Sequence, residues 1–193
     1  MLKKIYKHLL KILFLLIYGK ITVQKTNKQN NIKILKITKL KSKKTKNKNY
    51  FVYEIKNGRV YTDNNENVAV INGNQIIKDV SFQQKNSYLK SIKYNSSLKQ
   101  GTPALQKRFK GKVLVLCQGA SGINNYSHWL LDILPKIKIC EEVYDLRDID
   151  YFYIQNKTSF QKESFKKIGI PANKIIDWGK YKHIKADKII ALT

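Results

Sequence analysis

The chain has 193 residues, 38 Lys and Arg against 13 Asp and Glu, a formal charge of +25, and 42% hydrophobic residues. That apolar content supports one compact core or two small ones and excludes wholesale disorder. With 9 Gly, 3 Pro and 2 Cys, collagen-like and disulfide-stapled classes are excluded as well.

Charge is concentrated at the amino end: the first acid is Glu54, and 15 Lys precede it. Arg59, Arg108 and Arg147 are the only guanidinium groups. Nucleic-acid readers rely on that planar, bidentate group, so the Lys-rich bias, shared with Asn and Ile by the whole chain, does not point to nucleic acid. Cys117 and Cys140 lack CxxC spacing and sit in apolar runs, which reads as reduced, buried thiols in a cytosolic setting.

Residues 1–24 read as a basic amphipathic helix closed by Gly19. The uninterrupted apolar run, Ile12 to Tyr18, is 7 residues long, far short of the roughly 20 that a membrane span needs. At helical spacing Lys3, Lys4, Lys7 and Lys11 form one stripe, with Ile5, Leu9, Ile12, Leu13 and Leu16 opposite. Such a helix lies in the headgroup plane of an anionic membrane surface, placing the protein at the inner face of the cytoplasmic membrane. Two alternatives stand beside this: a secretory apolar segment, which here lacks a small-residue cleavage site, and a helix packed on the protein itself.

Residues 25–49 read as a Lys-rich linker with a weak alternation in IKILKITKL. No aromatic residue interleaves those lysines to stack on bases, so no nucleic-acid partner is expected. Residues 50–110 read as a β-rich lead-in. It contains YFVYEI, RVYTD, NVAVI and NQIIKDVSF, with Asn57-Gly58 and Asn72-Gly73 as hairpin turn signals. A polar stretch from Gln84 to Lys110 closes this region.

Residues 111–193 alternate strand and helix: Lys112 to Cys117, a helix from Asn125 to Cys140, Tyr151 to Gln155, a helix from Ser159 to Gly169, Lys174 to Trp178 and Ile184 to Leu192. This argues for an α/β fold with βαβ units and a mainly parallel, Rossmann-like sheet. The chain stops at Thr193 directly after a strand, where a further loop and helix are expected, as in half of a larger architecture.

The stretch Gly119 to Pro135 follows a buried strand and opens a helix, the place where α/β sheets bind ligands. With Asn125 as N-cap, Tyr126 is the first helical residue and His128 the third; Asp132 lies one turn on, on the same face. Trp129, Leu130, Ile133 and Leu134 are expected to pack on the sheet. Pro135 has no N–H to give Leu131, which predicts a kink or an early end. Gly119, Ser121 and Gly122 form a flexible turn that matches neither a full GxGxxG nor a P-loop. The competing reading of His128 is a buried imidazole bonded to Asp132 for packing alone. Asp148-Ile149-Asp150 precedes a strand and reads as a solvated turn, and His183 as a surface residue.

Asn125-Tyr126-Ser127-His128-Trp129-Leu130-Leu131-Asp132-Ile133-Leu134-Pro135 resembles the N-Y-x-H-W-L-x-D-x-L-P signature of family 61 glycosyltransferases, a group that includes capsular polysaccharide biosynthesis proteins. Arg59-Val60-Tyr61, Asp79-Val80-Ser81, Phe160 to Ser164, Ile168 to Ile170 and Ala186-Asp187 accompany it, over about Val52 to Leu192. The resemblance implies a GT-B architecture of two Rossmann-like halves. It implies inverting transfer from a nucleotide sugar to a glycan acceptor, with no essential metal and no other cofactor. His128 would be the base, Asp132 would orient its ring, and Asn125, Tyr126, Gly119, Ser121 and Gly122 would cap the helix or touch substrate. The second half, which in that family carries most donor contacts, is not in this sequence; a truncated frame, or a partner half encoded elsewhere, is expected. The reading from another class is a non-catalytic basic module that binds membrane or polyanion.

Overall fold

A computed structural model of the chain describes residues 2–24, 31–37, 49–64, 67–85, 88–117, 125–155 and 157–193. The expected turn at Gly119, Ser121 and Gly122 and the run Ser42 to Lys48 lie outside the described residues. In chain order the elements are α1 (Leu2–Tyr18), β1 (Thr22–Val23), β2 (Ile32–Ile37), β3 (Tyr50–Lys56), β4 (Arg59–Asn64), β5 (Asn67–Asn72), β6 (Gln75–Ile76), β7 (Phe82–Lys85), β8 (Tyr88–Leu89), α2 (Ser97–Gln100), β9 (Gln106–Val115), α3 (Tyr126–His128), α4 (Leu134–Glu141), β10 (Tyr151–Tyr153), α5 (Ser159–Ile168), β11 (Ile175–Ile176) and β12 (His183–Leu192).

The fold is mixed α/β. One sheet of 12 strands runs β1-β6-β5-β4-β12-β9-β10-β11, with β2, β3, β7 and β8 branching from it. Strands β12, β9, β10 and β11 are parallel, as alternation of strand and helix requires. Pairing among β2 to β8 is antiparallel, and the short β1 adds to β6 in parallel. Because β12 pairs with β9 on one side and with β3 and β4 on the other, the 50–110 and 111–193 segments share one sheet. Within the stretch read as linker, Ile32–Ile37 forms β2 alongside β3. The strand expected at Lys112 begins earlier, at Gln106, inside the stretch read as polar.

Asn72-Gly73 marks a true hairpin between β5 and β6, with Gly73 at φ 56° in the two-residue loop. The hairpin expected at Asn57-Gly58 does not form. Strands β3 and β4 make one kinked ribbon whose shared partner is β12, with Lys56 opposite Lys188 and Arg59 opposite Lys185. Asn57, at φ 52°, is the corner: its amide donates to Asp187 O at 2.8 Å, and Gly58 O accepts from the Ala186 amide at 3.1 Å. Asn-Gly carries the same left-handed preference in a corner as in a hairpin, so only the distant strand separates the two outcomes.

Side chains alternate across the sheet. Leu114, Leu116, Phe152, Ile190 and Leu192 face the helices and pack on Trp129, Ile133, Ile137, Cys140 and Phe165. Val113, Val115, Ile189 and Ala191 face the other way, onto Val60, Val68, Val70 and Trp178. Both thiols are free and buried; burial pushes Cys117 and Cys140 up to about 12, which keeps them as unreactive thiols.

His183, expected at the surface, is fully buried at the start of β12. Its Nδ1–H donates to Ala104 O at 3.2 Å and its Nε2 accepts from the Gln106 side-chain amide at 3.0 Å, so both ring nitrogens are satisfied in the neutral form. Burial pulls its pKa down to about 4. The rings of Tyr18 and Tyr61 stand edge-on to it, and Tyr18 Oη accepts the Gln106 main-chain amide at 3.0 Å, tying the end of α1 to this cluster.

Candidate functional site

The site is built on the helix that follows β9. Asn125 lies in an extended conformation and its Oδ1 accepts from Ser127 N at 3.0 Å and His128 N at 3.3 Å, the N-cap the sequence predicts. That cap commits Asn125 to the backbone. Tyr126 is 55% exposed, its ring edge-on to Phe160 at 5.2 Å.

From Trp129 to Ile133 the helix widens to a π turn, in which Leu134 N donates to Trp129 O. It then continues as α4 to Glu141, so Pro135 neither ends nor interrupts it. The wide turn accommodates a proline whose missing N–H and bulky ring a regular turn would not tolerate. Trp129 is fully buried and bonds through Nε1 to Ser164 Oγ at 3.1 Å, with Phe165 edge-on at 5.1 Å. Two sequence segments of the resemblance, 125–135 and 160–164, are thereby locked together. Leu130, expected to pack on the sheet, is 41% exposed: widening the turn rotates it outward while Trp129 and Ile133 stay inside.

His128 Nδ1 donates to Asp132 Oδ2 at 2.7 Å, which fixes the tautomer and leaves Nε2 as the ring nitrogen that can take a proton. The side chains are 43% and 40% exposed, so the imidazole is not sealed in the core. It opens on a cleft of about 500 Å³ whose wall is formed by the helix face bearing His128, Asp132 and Lys136, and by Asp79, Tyr50 and Thr193. The cleft lies beside the carboxyl end of β12, and the site helix returns to the carboxyl-end side of β9. In chain order β9 and β12 are the first and fourth strands of a parallel set arranged β11-β10-β9-β12. In open α/β sheets the gap at the carboxyl ends of parallel strands that are neighbours in the sheet but not consecutive in the chain is where ligands are held.

Lys136 is not among the residues that the sequence pattern singles out. It stands eight residues beyond His128, completing a row of imidazole, carboxylate and ammonium on one face. Burial pulls its ammonium down to about 8, against the opposing pull of Cys117 and Asp132. The signal is present in the sequence as H-x3-D-x3-K. Across the cleft Asp79 accepts from Tyr53 Oη at 2.7 Å, and burial together with that carboxylate pushes the phenol well above its usual range.

A larger hollow of about 640 Å³ lies between Leu146, Phe152 and Pro171, at the amino ends of β10 and β11. That is the wrong edge of a parallel sheet for chemistry. Asp148 and Asp150 are exposed; Asp150 accepts the Lys112 amide at 2.7 Å, a structural tie between a turn and β9. Among the described residues no group of three or more His, Cys, Asp or Glu side chains is gathered where it could hold a metal ion. Comparison of the chain with family models, curated proteins and solved structures returns no match.

Proposed function

We propose that this protein takes part in glycosyl transfer of the family 61 type, moving a sugar from a nucleotide-sugar donor to a glycan acceptor in surface or capsular polysaccharide synthesis. The observation that carries the reading is the His128–Asp132 pair, bonded at 2.7 Å and open to a cleft at the carboxyl ends of parallel strands. The motif resemblance of residues 125–135 and the strand order β11-β10-β9-β12, compatible with one Rossmann-like half of a GT-B enzyme, support it further.

In this mechanism Nε2 of His128 takes the proton of the acceptor hydroxyl as its oxygen attacks the anomeric carbon. Attack comes from the face opposite the nucleotide, the nucleoside phosphate leaves with the bonding pair, and configuration inverts. Asp132 holds the Nδ1–H and balances the imidazolium that forms. Lys136 supplies positive charge for an anionic group of donor or acceptor.

The test incubates the purified chain with surface polysaccharide and UDP-, GDP-, CMP- and dTDP-linked sugars, following nucleotide release and sugar incorporation. Because the donor-side half of that family is not in this sequence, the expected result for the chain alone is perturbation of the His128 ring resonances by polysaccharide, and any transfer seen should be abolished by His128→Gln while the circular dichroism spectrum is unchanged. No transfer with any donor, together with no perturbation of the His128 ring resonances by polysaccharide, overturns the proposal. The second reading, a non-catalytic basic module, draws on the outward apolar face of α1; it predicts binding that His128→Gln leaves intact.

A further inference from the structure

The apolar stripe of α1 is not used by the fold. Lys11, Phe14 and Tyr18 fall on one face at helical spacing, and this is the face that docks: Phe14 is 8% exposed, and the Tyr18 hydroxyl accepts the Gln106 amide. Leu15 packs against Gly101, where a Cβ would meet its Cδ2 at 2.7 Å. The opposite face, Tyr6, Leu9, Leu13, Leu16 and Ile17, points to solvent, with Leu9 58% and Leu16 79% exposed. An amphipathic helix normally turns its apolar stripe inward, and here the order is reversed.

We infer that this face docks into the interfacial layer of an anionic lipid bilayer, with the helix lying flat. Charge decides the occupant. The first 53 residues carry 15 Lys and no acid, so a second copy of the chain would bring like charge against like, whereas an anionic headgroup layer complements it. Length decides the orientation: α1 has 17 residues, and none of the described helices is long and apolar enough to cross a membrane. The docked end, held by Phe14, Leu15 and Tyr18 against the rest of the fold, makes α1 an anchor fixed to the sheet rather than a free tail. This inference stands independently of the glycosyl-transfer reading.

The experiment uses the full chain and vesicles of phosphatidylcholine with about a quarter phosphatidylglycerol, read by co-sedimentation. Binding is expected, weakening on the order of tenfold or more in pure phosphatidylcholine or when salt is raised to about 0.5 M. The triple variant Leu9→Gln, Leu13→Gln, Leu16→Gln should lose on the order of tenfold or more in affinity at an unchanged melting temperature, because all three side chains already face water. A second variant, Leu13→Trp, places a reporter in the stripe; its fluorescence should shift to the blue on adding vesicles and be quenched by bromine-labelled acyl chains. Vesicle binding that the triple variant leaves unchanged overturns the inference, since charge alone would then explain it. So does a Leu13→Trp spectrum that lipid does not move, or a vesicle-free dimer that the triple variant dissolves.

Discussion

Asp187 Oδ2 accepts the amide of Gly111 at 2.9 Å, joining the middle of β12 to a bulge in β9. The main-chain oxygen of the same aspartate takes the Asn57 amide at 2.8 Å. Three strands therefore bend at one level around one residue, and the bend lets a single sheet hold parallel strands under helices and antiparallel strands over its other face. Arg108 bonds the remaining oxygen, Oδ1, at 2.7 Å, and the two contacts hold the Asp187 carboxyl below its usual range.

The bulge makes Gly111 costly to replace. Its φ is 88°, and a Cβ would stand 2.1 Å from Asp150 Oδ2, the oxygen that accepts the Lys112 amide. Gly111→Ala should lose about 2–3 kcal/mol in urea unfolding. Gly169→Ala, with φ 83° and nothing within 4 Å, should lose only about 1 kcal/mol. Equal losses would show that crowding at the bulge contributes nothing.

His183 makes the fold acid-sensitive. Its native pKa of about 4 lies below the unfolded value of 6.5. Above pH 6.5 both states are neutral and its contribution is intact. As pH falls from there through 4, the unfolded chain takes up a proton that the native state refuses, and about 3 kcal/mol is lost. Denaturant titrations of wild type and His183→Gln should therefore converge as pH falls over that window; parallel curves would remove His183 as the cause.

In the proposed reaction Asp132 acts through His128, whose Nδ1 it holds at 2.7 Å. Under the proposed reaction, Asp132→Asn should lower kcat by on the order of 10²–10³, less than His128→Gln, with KM nearly unchanged. Both side chains are partly solvated, so neither variant should alter unfolding by more than about 1 kcal/mol. A melting point that collapses in Asp132→Asn would return the pair to a packing role.

Lys136, titrating at about 8, is charged below that pH and neutral above it. Affinity for an anionic ligand should fall as pH rises through 8, and Lys136→Arg should shift the decline to higher pH or abolish it. Isothermal titration with a nucleoside diphosphate at several pH values makes the comparison; a decline that Lys136→Arg leaves in place assigns it to another group.

Much of the site is local and therefore legible in the sequence. An Asn at the N-cap, an imidazole and a carboxylate four residues apart, and a glycine ending α5 depend only on contacts within one or two helical turns. The strands β9 and β10 announce themselves through apolar runs. Leu130 departs from expectation because ordinary helical spacing does not hold across a turn that widens ahead of Pro135. Lys136 escapes a reading of the sequence because a lysine on a mostly polar helix face reads as solvated until a cleft is placed beside it.

The chain by itself determined the α1 amphipathic pattern, the helix carrying His128 and the α/β alternation after Lys112, because each is written in spacings of a few residues. Tertiary structure alone decided that Asn57-Gly58 turns a corner rather than a hairpin, that His183 is buried, that two apparent regions form one sheet, and that α1 shows its apolar face to solvent. Each of these depends on which of several chemically suitable partners occupies the space beside a segment, and β12, more than 110 residues beyond β3 and β4, is the partner that settles three of them.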